Sequence, residues 1–131
     1  MKKVLFVLMA CMALCFTGCS DNGEVSSDKI IGDWACSTIT EYYLENGRYQ
    51  TDVEYISIYV SFYPDNTLSY SSEGYRMNGN WVLNGSTLIL SFKYGNEEEY
   101  EKYTVQKCTS KELLLRMDFD NGYADYNFKK R

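Results

Sequence analysis

The chain has 131 residues, of which 13 are Lys or Arg, 18 are Asp or Glu and none is His, for a formal charge of −5. The acidic balance argues against a nucleic-acid partner, because backbone binding comes from Lys and Arg neutralising phosphate, and the missing imidazole excludes His-based triads and His-ligated metals. One Pro among 13 Tyr, six Phe and two Trp points to a folded, β-rich core rather than a disordered chain.

At the start of the chain, Lys2 and Lys3 precede an apolar stretch from Val4 to Phe16, then small residues and a cysteine. That order is the order of an export signal over 1–18, and thirteen apolar residues are too few for a permanent membrane span. Phe16-Thr17-Gly18-Cys19 resembles the lipobox of bacterial lipoproteins. The resemblance implies cleavage before Cys19, a lipid on that cysteine and attachment to the outer membrane. Without 1–18 the chain keeps 113 residues and a formal charge of −7, since Lys2 and Lys3 leave and no acid does. Residues 19–29 are expected to be the lipidated cysteine and a flexible tether, whose polar, acidic and aperiodic run from Ser20 to Asp28 reaches about 30 Å when extended. An acidic run behind the lipidated cysteine also resembles the signal that sends lipoproteins to the outer cell surface in some anaerobic Gram-negative lineages. A solvated spacer on a periplasm-facing lipoprotein is the other reading.

From Ile30 to Arg131 turn signals recur at short intervals: Asn46-Gly47, Pro64-Asp65-Asn66, Asn78-Gly79, Asn84-Gly85, Gly95-Asn96, Thr109-Ser110 and Asn121-Gly122. Asn-Gly supplies the positive φ angles of tight hairpin turns. Between the turns lie eight predicted strands, near 33–43, 53–63, 67–73, 79–84, 87–94, 99–108, 112–119 and 123–129. Connections this short favour sequential antiparallel pairing, since a parallel crossover needs a dozen or more residues. The domain 30–131 is therefore expected to be all-β, an eight-stranded antiparallel up-and-down meander closed into a barrel, which removes exposed edges. An open, strongly bent sheet gives nearly the same pattern.

Alternation selects the inner face. Ile56, Ile58, Val60 and Phe62 share one parity, while Tyr55, Ser57, Tyr59, Ser61 and Tyr63 share the other. The same rule puts Leu88, Leu90, Phe92, Tyr103, Val105, Leu113, Leu115, Met117, Tyr126 and Phe128 inside, and Arg116 outside. An interior without charge reads either as a filled core or as a pocket for a neutral molecule.

Ile30-Ile31-Gly32-Asp33-Trp34 resembles the Gly-x-Trp motif that opens the first strand of lipocalins. The stretch Gly79-Asn80-Trp81-Val82-Leu83-Asn84-Gly85 is similar to the mid-domain Gly-x-Trp segment of small bacterial lipocalin-like lipoproteins. The resemblance implies that Gly32, Trp34 and Trp81 build the base of a barrel, with a basic side chain from Lys129, Lys130 or Arg131 over Trp34. It covers nearly all of 30–131 and implies the barrel more directly than it implies ligand transport.

With Trp34 at the base, an up-and-down path sends the turns near 64–67, 84–86 and 109–111 and the C-terminus to the same end. The opposite end receives a long loop from Leu44 to Asp52 and the turns near 73–78, 94–99 and 120–122. Seven tyrosines fall at or near that mouth: Tyr42, Tyr43, Tyr49, Tyr75, Tyr94, Tyr100 and Tyr123. A ring with a polar tip suits sugars, neutral lipids or a protein partner, although tyrosine also simply favours strands. Cys36 and Cys108 come together near the base. In an oxidising compartment they either form a disulfide, contributing about 4 kcal/mol, or remain two buried thiols.

Glu97-Glu98-Glu99 with Glu101 reads as a solvated rim, because adjacent strand residues point to opposite faces. Asp118-Phe119-Asp120-Asn121-Gly122 fits a hairpin turn better than a calcium loop. No phosphate-binding loop, nucleophile elbow or zinc-spaced cysteine pair is present, so neither catalysis nor a cofactor or metal is expected. The sequence thus points to a membrane-anchored binding module for a small neutral or amphipathic ligand at a Tyr-rich mouth. The alternative is an interaction lipoprotein whose filled barrel presents its loops to another protein.

Overall fold

The computed structural model describes residues 25–131, so the expected export signal 1–18 and the lipidation site Cys19 lie outside the described residues. The tether expected up to residue 29 gives way to structure earlier. Ser27–Ile30 forms a single helical turn, α1, and both Val25 and Ile30 pack on the core.

Eight strands follow: β1 (Gly32–Glu45), β2 (Arg48–Phe62), β3 (Thr67–Ser72), β4 (Tyr75–Asn84), β5 (Thr87–Tyr94), β6 (Glu97–Cys108), β7 (Glu112–Phe119) and β8 (Gly122–Lys130). Each pairs antiparallel with the next, and β8 returns to β1, which closes the barrel in sequence order. Alternation along these strands buries one face of each. The inward side chains, each stabilising by roughly 1.5–3 kcal/mol when a large apolar group is fully buried, form one continuous core.

Two turns differ from expectation. Leu44–Asp52 is not a loop: β1 and β2 continue as a hairpin to a two-residue turn at Asn46-Gly47, where both residues have positive φ. Beyond the barrel rim β2 has no neighbour but β1, because its pairing with β3 runs only from Ile58 to Phe62. Nor is Asn78-Gly79 a turn. The chain reverses at Glu73-Gly74, and Gly79 lies within β4, where a Cβ would run into the Ser91 carbonyl oxygen and crowd the Phe92 ring. Close approach of β5, not a positive φ, requires glycine there.

The pairing of β1 shifts register between Cys36 and Thr38 against both neighbours. A bulge changes which parity faces inward. Trp34 and Cys36 are buried before it and Ile39 after it, so Tyr43 shares the inner face and Tyr42 the outer.

Trp34, fully buried, donates its Nε1–H to the Ile30 carbonyl at 2.7 Å, which pins α1 beneath the barrel. Of the three basic residues at the chain end, Lys130 covers the Trp34 ring, with Nζ 4.5 Å from its centroid and donating to the Ile31 carbonyl at 2.9 Å. Lys130 also lies across Gly32, whose φ of +133° and lack of a side chain leave room for it. Trp81 is the second indole at this end. It donates to the Tyr63 carbonyl at 3.1 Å and meets Phe62 edge-on, with centroids 5.6 Å apart.

Candidate functional site

Above this sealed base the barrel is not full. A cavity of about 230 Å³ occupies its interior, walled by Ile39, Ile58, Val60, Leu90, Leu115 and Phe128 among others. Its polar groups come from four residues: Tyr70, Tyr103, Tyr126 and Glu101. The pairings Leu88↔Tyr103 and Leu90↔Glu101 bring both β6 residues to the inner wall, since partners across an antiparallel pair share a face. Tyr103 Oη donates to Glu101 Oε1 at 2.9 Å. Its ring meets Tyr126 edge-on at 5.4 Å, and Tyr70 meets Phe92 likewise at 6.1 Å.

Burial sets the chemistry of these phenols. Desolvation, assisted by the nearby Glu101 carboxylate, pushes Tyr126 up to about 12 and Tyr103 further in the same direction. Burial raises Tyr70 too, against the opposing hydrogen bond with Ser72. All three are neutral hydrogen-bonding groups at physiological pH.

The expected interior is thus corrected in one respect: it contains a carboxylate. Glu101, expected on the rim with Glu97-Glu98-Glu99, shares the parity of Tyr103 and Val105. That parity was the available signal, as was the shared parity of Tyr70 with buried Leu68.

None of the seven expected mouth tyrosines lines the cavity, and they do not converge on one site. Tyr42 and Tyr123 stack on the outer wall with centroids 4.9 Å apart, and the Arg116 guanidinium sits 3.8 Å above the Tyr123 ring. Arg116 in turn holds the nearly buried Asp125 through two hydrogen bonds of 2.8 and 3.0 Å, which raises its own pKa. Tyr43, on the inner face of the hairpin, donates to Asp52 at 2.6 Å, and that bond pushes its phenol up to about 12. Tyr94 donates to the Met77 sulfur at 2.9 Å. Tyr49, Tyr75 and Tyr100 are exposed.

The Cys36–Cys108 disulfide allowed by the sequence is not formed; both are free thiols. The pairings Cys36↔Phe128, Leu113↔Phe128 and Cys108↔Leu113 set them three strands apart. Two whole strands, β8 and β7, thus stand between them in the sheet. Burial pushes Cys36 up to about 11 and raises Cys108, so neither is a reactive thiolate near neutral pH.

No family model matches the chain, and no curated protein matches it by sequence. Among solved structures it is similar to a lipocalin-like protein from Bacteroides uniformis ATCC 8492, with a TM-score of 0.55. The fold is lipocalin-like. The match spans 79% of this chain and 99% of the other at 15% identity, so what the two share is the barrel. The cavity lies in the interior of this barrel.

Proposed function

We propose that the protein is an exported, lipid-anchored binding module that holds one small amphipathic molecule inside its barrel, without catalysis. The cavity carries this reading: at about 230 Å³ it exceeds the roughly 150 Å³ apolar void that accommodates benzene. A single ring with a short polar arm fits that space. The lipobox resemblance at Cys19 supports the anchor. Because α1 enters at the base, a tether from Cys19 would turn the mouth away from the membrane.

The projecting β1–β2 hairpin favours a second reading, in which the protein docks another protein through Tyr49, Val53 and Tyr55, exposed on one face of β2. Native mass spectrometry on the full protein, extracted from the membranes of its own host, tests the first. A reproducible non-covalent adduct is expected, and it should vanish when Val60→Phe fills the cavity while the circular dichroism stays unchanged. A bare protein, or an adduct that survives Val60→Phe, would sink the cavity reading and leave the hairpin.

A further inference from the structure

We infer that the ligand is a small organic cation, an amine carried on a ring or short apolar body, and that Glu101 is its counter-ion. The inference rests on the cavity being the ligand site and assigns that ligand its charge.

Glu101 is half-buried on the inner wall of β6 and opens onto a surface that is otherwise apolar or phenolic. An ionised carboxylate offers about four acceptor positions, and the Tyr103 hydroxyl occupies one. No Lys or Arg lines the cavity, and among the described residues none of the three ion pairs, Lys107–Glu112, Arg116–Asp125 and Lys129–Glu112, involves Glu101. Lys102, the next residue, takes the outer parity opposite Ile89, and Arg116, also on the outer face, is committed to Asp125. Glu101 is therefore a carboxylate whose protein neighbours neutralise none of its charge, in a setting where the dielectric is below that of water.

The remaining walls suit the same ligand. Tyr70, Tyr103, Tyr126, Phe62 and Phe128 present aromatic surface to the cavity, and a desolvated cation is attracted to such rings. An anion would meet Glu101 at close range with no compensating base. A neutral molecule would leave the charge unanswered.

The approach to the cavity has the same sign. Glu54 pairs with Ile39, which lines the cavity, and Glu41 pairs with Asp52 two residues further along the same face. Glu97 and Glu99 share the inner parity of Glu101. Acids on this inner-facing parity raise the local concentration of cations and speed their capture.

The test compares 2-phenylethylamine, protonated at neutral pH, with its neutral analogue 2-phenylethanol by titration calorimetry on the full protein in detergent. The amine is expected to bind about ten- to hundred-fold more tightly than the alcohol, the worth of one charge-assisted hydrogen bond. Glu101→Gln should abolish that preference while leaving the alcohol's affinity as it was, and Glu101→Asp should retain part of it. Thermal melts of both variants confirm that they are folded. If amine and alcohol bind alike and Glu101→Gln changes neither, the ligand is not a cation, although the cavity reading survives. If neither probe binds the folded protein, both the cavity reading and the assignment of charge fall.

Discussion

At the base of the barrel Trp34, Trp81, Ile30 and Leu68 are shut away from water, and each indole N–H donates to a backbone carbonyl. At the mouth, Tyr49 and Tyr100 keep 71% and 67% of their surface in solvent, and the β2 arm that carries Tyr49 has no strand beside it but β1. One residue class, the large aromatics, thus serves two purposes in one small domain. Where the ring is enclosed and its polar atom satisfied it seals the barrel. Where it is exposed it presents a flat apolar face with a polar tip to solvent. Between the two ends sits the cavity, walled by neither the indoles nor the mouth tyrosines.

The sharpest way to break this contrast is Trp34→Ala. Removing a fully buried indole, its hydrogen bond to Ile30 and the ring beneath Lys130 should cost about 3–5 kcal/mol, read as a lower urea midpoint at unchanged slope. A loss below about 1 kcal/mol would mean that the base does not hold the barrel shut.

An intermediate effect is expected from pH, and it isolates the cavity between the ends. Tyr126 titrates near 12 in the folded protein against an ordinary value near 10, and burial moves Tyr103 in the same direction. Above pH 10 the unfolded chain releases these protons first. Stability contributed by the neutral phenols is therefore complete below about pH 10 and declines as pH rises through about 12. Melting temperatures between about pH 9 and about pH 11 should fall less for Tyr126→Phe than for the parent, and equal falls would show that the Tyr126 phenol is not desolvated.

The smallest effect belongs to the projecting hairpin. Tyr55 is 82% exposed, and Tyr55→Ser should change stability by less than about 0.5 kcal/mol in the same urea titration. A larger loss would place Tyr55 in a contact that supports the fold.

Much of this molecule can be read from its residues because hairpin turns and two-residue periodicity are local signals. The strands β5 and β7 fall where the pattern puts them, and the polarity of the barrel follows from counting reversals from Trp34. What escapes is what depends on more than one strand. The bulge beside Cys36 shifts parity within β1, so Tyr42 turns outward to stack on Tyr123. Gly79 looks like a turn residue because the approach of Ser91 and Phe92 is invisible until β4 and β5 are paired. Two cysteines at one end of a barrel invite a disulfide until the strands between them are counted. Glu101 was obscured by its acidic neighbours: composition said solvent, while parity said interior.

The bond from the Lys130 side chain to the Ile31 carbonyl joins residues 99 positions apart, and it lies at the end of the β1–β8 ladder that turns a curved sheet into a barrel. Closing a loop of that length costs about 4 kcal/mol of chain entropy before any contact repays it. The seven hairpins can form from neighbouring segments, but the seam between β1 and β8 cannot form until the last strand has arrived. Folding should accordingly be slow for a chain of this size, with the seam as its late step. Until that step the edges of β1 and β8 are unpaired and able to join other chains, so the final nine-residue strand protects the folding chain from aggregation as well as completing its wall.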